Sequence, residues 1–169
     1  VDEKGKKGRY KLKKGQTFDS EKEVENYFRD IVHKNINAFM NGDEGGTLVI
    51  GVTDEEEVVG IDREFRKKHI SNKDQYLLHM SDNLNHALDS DWENFVSIEF
   101  REQSGKTICV VFCKKATDRP RLVKINGEKK AFKVNKSSST SEMTQEEIIE
   151  ISKRDEREAN KRVNKKHLT

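Results

Sequence analysis

Apolar and polar residues alternate with two different periods along this 169-residue chain. From Val24 to Phe39, apolar residues recur at helical spacing, which predicts a helix over 20–41. Ser20 and Glu23 have the spacing of a capping box and mark the start of that helix. Soon after it, the β-branched run from Leu48 to Val52 is typical of a buried strand. The pattern therefore predicts a helix that leads directly into a core strand.

Further along, the patterns predict short strands and two more helices. Apolar residues from Leu77 to Leu88 share one helical face, which predicts a second helix over 73–89. The dipeptide Asn126-Gly127 favours a tight hairpin turn between two short strands. The other predicted elements are strands at 46–53, 57–61, 95–101, 108–112, 121–125 and 130–135, and a last helix that begins with the capping pair Thr144 and Glu147.

The chain has the length of a single domain that is large enough to fold alone. We expect residues 1–15 to form a basic, flexible lead-in, which also carries the alternation of a first strand. Residues 16–152 form the domain itself. Residues 153–169 are a charged tail, which is either a solvated helix extension or disordered.

Charge is distributed unevenly along the chain. Charged residues make up 38% of it, yet the formal net charge is only +2, so the total does not by itself indicate a nucleic-acid partner. The segment Lys4–Lys14 contains seven basic residues and no acidic one, and 114–136 is also basic, whereas 54–57 is acidic. Such asymmetry can produce a positive face on a nearly neutral protein.

The two cysteines and the hydropathy indicate where the protein works. Cys109 and Cys113 lie four positions apart in one predicted strand, too far apart to bond with each other. Reduced, buried thiols are typical of an intracellular protein. No membrane-spanning run and no signal-peptide pattern is present in the sequence, so we expect a cytoplasmic or nuclear location.

The link between the first helix and the core strand carries the most distinctive residues. Gly45 and Gly46 permit backbone angles closed to other residues, so the chain can turn sharply there. Asp43 and Glu44 lie on this corner, and corners of this kind often carry function. Paired carboxylates can hold Mg²⁺ or Mn²⁺ beside a phosphate, which makes Glu44 and Asp43 the candidate catalytic residues.

A series of short motifs around the corner resembles the Schlafen AlbA_2-like domain family. The motifs are Ala38-Phe39-Met40-Asn41, Gly45-Gly46, Ile50-Gly51-Val52, Asp54 and Val58-Val59-Gly60-Ile61. The resemblance implies an α/β fold in which helices pack against a mixed β-sheet. It also implies structural roles for Asn41, Gly45, Gly46 and Gly51, and a nucleic-acid-binding or endoribonuclease activity.

Nuclease-active members of that family are expected to use three acids. Glu44 matches the third of them, with Asp43 beside it, but Lys6 and Lys11 stand where the first two would be. Lysines do not bind a metal cation in place of carboxylates. Only a different alignment, through Glu21, Glu23 or Glu25, would complete the set. We therefore predict no metal site, and Mg²⁺ or Mn²⁺ only if the domain is active.

Basic and hydroxyl side chains are the candidate contacts to nucleic acid, because they neutralise or bind phosphates without reading sequence. The candidate residues are Lys11, Lys13, Lys14, Arg119, Arg121, Lys133, Lys136, Ser138 and Thr140, with Lys124, Lys129 and Lys130 in the same basic cluster.

Three functions follow from these observations. The preferred one is a nucleic-acid-binding module, for RNA rather than DNA, that serves as a catalytically incomplete subunit of a nuclease complex. Its partner would be another Schlafen-like domain, in a homo- or hetero-oligomer. The alternatives are a metal-dependent endoribonuclease acting on structured RNA or tRNA, and a non-catalytic assembly domain.

Overall fold

The computed structural model describes residues 3–4, 10–11, 15–67 and 70–166. The chain forms two compact units, 1–33 and 34–169. The helices are α1 (Glu21–Asn41), α2 (Lys73–Ala87) and α3 (Gln145–Lys166). The strands are β1 (Glu3–Lys4), β2 (Tyr10–Lys11), β3 (Thr17–Phe18), β4 (Gly46–Ile50), β5 (Val96–Gln103), β6 (Lys106–Cys113), β7 (Val123–Ile125), β8 (Glu128–Lys130), β9 (Phe132–Val134) and β10 (Thr140–Glu142).

The first unit contains a small antiparallel sheet and the start of α1. The strand order is β1-β2-β3, with Tyr10 opposite Phe18. The predicted capping box is present, since the Glu23 backbone N–H donates to Ser20 Oγ at 3.2 Å and the Asp19 N–H donates to Glu23 Oε2 at 2.9 Å. Phe18 packs on Tyr27 with ring centroids 5.2 Å apart, which joins the strand to the helix.

The second unit is built on the antiparallel sheet β4-β6-β5. β6 is the central strand and is buried over most of its length, as its apolar run requires. On one side α2 contacts β5 through Tyr76 and Phe100, whose rings meet edge to face at 5.9 Å. The largest fully buried apolar side chains of this unit are Ile36, Met40, Leu84, Val111, Val123 and Cys109.

The prediction of an α/β fold is confirmed, and the structure refines its details. Every strand pair recorded for the described residues is antiparallel, so the sheets are not mixed in strand direction. The strand predicted at 57–61 is reduced to a single bridge between Val52 and Val58. The Asn126-Gly127 turn joins β7 to β8, whereas β9 pairs with β10, a strand that the sequence patterns did not predict.

The last helix is longer than its apolar residues alone would support. Ile151 is buried, but the helix continues to Lys166 through residues that are largely exposed. A helix with so few apolar positions needs other contacts to hold it, and α3 has ion pairs that provide them.

Candidate nucleic-acid interface and the diglycine corner

The diglycine corner, residues 42–46, joins α1 to β4 at very close range. Gly45 has a φ of +73°, and a Cβ placed on it would lie 2.1 Å from the carbonyl oxygen of Cys113. A Cβ on Gly46 would lie 2.2 Å from the Phe39 ring. A side chain at position 45 would therefore displace backbone, and one at position 46 would displace the Phe39 ring.

Two buried asparagines on α1 hold the segments that follow the sheet. Asn41 Nδ2 donates to the carbonyl oxygens of Arg121 and Phe132, each at 3.1 Å, and its Oδ1 accepts from the Arg121 N–H at 2.7 Å. Asn37 Oδ1 accepts from the Phe132 N–H at 2.8 Å. These carboxamides replace backbone partners that the loop lacks, which gives Asn41 a structural role.

Asp43 is surrounded by cations. Its Oδ1 accepts from Arg119 Nη1 at 2.8 Å and from Arg154 Nη2 at 2.9 Å, and Lys115 Nζ lies 3.7 Å away. The hydrogen bond from Arg119 lowers the pKa of Asp43 below its ordinary value, and Arg154 and Lys115 act in the same direction. The carboxylate is thus already neutralised by groups of the protein itself.

Glu44, the other candidate catalytic residue, is exposed at the same corner. Within the described residues, no three His, Cys, Asp or Glu side chains come together as a metal-binding group. A divalent cation at Asp43 would have to displace two guanidinium groups and would gain only one further carboxylate from the corner. The donor set of the corner therefore does not fit Mg²⁺ or Mn²⁺.

Arg119 is the centre of a buried ionic network. Its side chain has no exposed surface, and Nε and Nη2 donate to the two oxygens of Asp155 at 2.9 and 2.5 Å. Nη1 donates to the carbonyl oxygen of Asn41 at 3.1 Å as well as to Asp43. This bidentate pair joins α3 to the diglycine corner and leaves no guanidinium surface for a phosphate.

Arg121 is used internally in a similar way. Its guanidinium donates to both oxygens of Asp91 at 2.6 and 2.8 Å and to Asp118 at 2.6 Å. It also lies 4.8 Å from the centroid of the Phe95 ring. The sequence prediction grouped Arg119 and Arg121 with the phosphate-binding residues; the structure places both in internal networks because buried charges require charged partners.

The candidates in the serine-rich loop differ in availability. Lys133 forms an ion pair with Glu147, and Thr140 Oγ1 donates to Asn35 Oδ1 at 2.7 Å. Lys136 and Ser138 are exposed, and Ser138 has a φ of +62° at the tip of the loop. Among the described residues, no ion pair to Lys136 is present, so its ammonium group is open to a ligand.

The β7–β8 hairpin presents the least neutralised cations of the basic cluster. Lys124 and Lys129 lie directly opposite each other in the strand register, and both are exposed. Val123 and Ile125 point to the buried side, which forces Lys124 outward. Neither lysine has an ion-pair partner in the part of the chain that the structure describes. Lys130, in contrast, lies 3.1 Å from a Glu142 carboxylate oxygen.

The remaining candidates fall at the N-terminus. Lys13 and Lys14 lie outside the described residues, and only the backbone of Lys11, opposite Thr17, is described. Their proposed contacts with nucleic acid stay predictions from the sequence.

A comparison with models of known protein families shows which family the chain belongs to. A family model described as "Schlafen, AlbA_2" matches residues 8–144, which is most of the chain. The chain belongs to the Schlafen AlbA_2 family. No curated protein and no solved structure matches it. Within the described residues of this Schlafen AlbA_2 domain, no helix is long and apolar enough to cross a membrane.

Sequence reasoning missed several residues of the site. Asn37 had a weak signal, because it lies one helical turn before Asn41 and therefore shares its helical face. Lys115, Arg154 and Asp155 had none, since their roles depend on α3 reaching the diglycine corner after the matched segment has ended.

Proposed function

We propose that this Schlafen AlbA_2 domain binds nucleic acid, RNA in preference to DNA, and does not cut it unaided. The observation that carries the proposal is the cross-strand pair of Lys124 and Lys129, two exposed and unneutralised ammonium groups of the described chain held side by side. Like charges directly opposite each other on a hairpin are unfavourable. A phosphate placed between them would relieve that repulsion.

Further exposed polar residues follow the hairpin along the chain. Lys136 and Ser138 follow within the loop that connects β9 and β10, and they offer an ammonium group and a hydroxyl to phosphate oxygens. Lys11, Lys13 and Lys14 are retained as proposed contacts on sequence grounds. Because such contacts are to the backbone, binding should be insensitive to sequence and strongly dependent on salt.

The state of the diglycine corner supports binding without catalysis. Asp43 is engaged by Arg119 and Arg154, and Glu44 is left as a single carboxylate. Nucleases of this kind need converging carboxylates to hold a cation beside the scissile phosphate. Accordingly, we propose a catalytically incomplete subunit that supplies one wall of a substrate groove to another Schlafen-like domain, in an intracellular compartment.

The experiment measures binding of fluorescein-labelled RNA duplex, single-stranded RNA and DNA duplex by fluorescence anisotropy. We expect Lys124→Glu with Lys129→Glu to weaken RNA binding at least about tenfold, since two phosphate contacts become repulsive. The matched control is Arg63→Glu with Arg66→Glu, which changes the charge equally at two exposed positions outside the basic cluster. Equal losses in the two variants would contradict a localised site.

The same samples test the alternative functions. Incubation of labelled RNA with Mn²⁺ or Mg²⁺ should leave it intact. Cleavage that disappears in Glu44→Ala with Asp43→Ala would establish the endoribonuclease instead. A chain that binds no nucleic acid but forms a stable complex with another Schlafen-like domain would establish the assembly role.

A further inference from the structure

Helix α3 changes character at Glu158. Up to that residue, one face is held by contacts: Glu147 pairs with Lys133, Ile151 is buried, and Asp155 pairs with Arg119. Glu158 itself lies 3.7 Å from Lys115. These residues recur at helical spacing, so a single edge of the helix is fixed to the rest of the second unit. The direction of α3 is therefore set before its last turns begin.

The last turns, 159–166, form what we call the basic arm. All residues from Ala159 to Lys165 are exposed, and the arm extends about 12 Å at 1.5 Å per residue. The arm contains no acidic residue. Its basic residues are Lys161, Arg162, Lys165 and Lys166. No ion pair is recorded for the described side chains of Lys161, Arg162 and Lys165.

A solvated helix end is the simplest alternative account of these cations. Basic residues near a helix C-terminus interact favourably with the helix dipole, by about 0.3–1 kcal/mol each. A cleft of about 230 Å³ lies at the foot of the arm. Arg162 lines this cleft together with Lys115 and Thr117 of the preceding loop. The carboxylates of Asp155 and Glu158 line it too, and they are paired with Arg119 and Lys115. Of the two cations in the lining, Arg162 alone has no recorded ion pair among the described residues.

We propose that the basic arm is a second phosphate-binding element, which contacts the backbone of a nucleic acid held by the domain. The proposal rests on the proposed function and adds a contact region outside the family-matched segment. The arm offers positive charge without an apolar face, since Val163 is its one large apolar side chain. A helix that lies on a membrane requires an apolar face, so nucleic acid is the polyanion that fits.

The test is a variant that neutralises the arm but keeps good helix formers: Lys161→Gln, Arg162→Gln and Lys165→Gln. Removing up to three phosphate contacts should weaken RNA binding about tenfold and reduce the slope of log K against log salt by about 2. The anisotropy titration is run between about 50 and 200 mM salt with RNA and with DNA of equal length. The ratio of the two affinities shows which backbone the arm prefers.

The matched control removes the same charge elsewhere on the exposed surface, with Arg63→Gln, Arg66→Gln and Lys153→Gln. Far-UV circular dichroism of both variants should equal that of the unaltered chain. If the arm variant keeps the affinity and salt slope of the control while Lys124→Glu with Lys129→Glu still loses binding, the arm proposal is wrong and the proposed function stands. If the unaltered chain binds neither RNA nor DNA, both are wrong. Binding to phosphatidylserine vesicles is measured in parallel. If the arm variant loses vesicle binding that the unaltered chain shows, but keeps its RNA binding, the arm proposal is also wrong.

Discussion

Two neighbouring basic segments of this domain use their charge in opposite ways. In 117–121, Arg119 and Arg121 have largely buried side chains whose guanidinium groups are paired with four aspartates, Asp43, Asp91, Asp118 and Asp155. In the β7–β8 hairpin that follows, Lys124 and Lys129 direct their ammonium groups outward. The two segments lie next to each other in the sequence, and composition alone does not distinguish them.

The difference follows from the chemistry of the two side chains. Arginine presents a planar fork of donors that matches a carboxylate, so its side chain can be buried where carboxylates pair with it. Lysine carries a compact and strongly hydrated charge, which favours the surface. A count of basic residues therefore overstates the charge that a phosphate can reach, and only the second segment enters the proposed interface.

Of the substitutions that test this contrast, we expect Arg119→Gln to reduce the stability most. This substitution removes the partner of Asp155 and leaves that partly buried carboxylate uncompensated. We expect the free energy of unfolding to fall by about 3 kcal/mol. Urea denaturation followed by circular dichroism measures it, with Arg63→Gln as the control at an exposed site. A loss below that of the control would mean that the network contributes nothing to stability.

The next largest effect is expected at Asn41. In Asn41→Ala the N–H of Arg121 loses its acceptor, and the carbonyl oxygen of Phe132 loses a donor, in buried surroundings. Unsatisfied buried groups cost about 1–3 kcal/mol each, so we expect a loss of about 2 kcal/mol. The exposed Asn164→Ala should change the unfolding free energy little. Similar values for the two variants would refute the structural role of Asn41.

Local signals in the sequence were sufficient for part of the fold. The capping box at Ser20 and the turn at Asn126-Gly127 depend only on neighbouring residues, and both are present in the structure. β10 was missed because its residues have no apolar alternation, and it exists through pairing with β9. Its strand character is a tertiary property that propensity does not carry.

The site was less predictable because its partners are distant in sequence. Arg119 meets Asp155 across 36 positions and Asp43 across 76. Nothing near Arg119 in the chain distinguishes it from an exposed phosphate ligand. The glycines and Asn41 were found because their roles coincide with a family motif, whereas Lys115 and Arg154 belong to no motif.

The smallest expected effect is a pH dependence, and it tests whether the arginine network acts through charge. Burial raises the pKa of Asp155, but the hydrogen bonds from Arg119 outweigh it, and the net pKa is below the ordinary value. A carboxyl of this kind stabilises the fold above its unfolded pKa, and its contribution is lost as the pH falls through the folded pKa. The benefit should therefore be complete above about pH 4 and be lost progressively below it.

In Arg119→Gln the same carboxyl keeps its burial without its partner, so its pKa should rise above the unfolded value. As the pH falls, protonation of Asp155 removes this unpaired buried charge and with it part of the destabilisation of the variant. The difference in unfolding free energy between the unaltered chain and Arg119→Gln should consequently shrink between pH 7 and about pH 3. Urea denaturation across this range measures the difference, and Arg63→Gln should show a constant offset. If the difference in unfolding free energy for Arg119→Gln does not change with pH, Arg119 acts by packing alone. The contrast between paired arginines and open lysines would then be one of shape rather than charge.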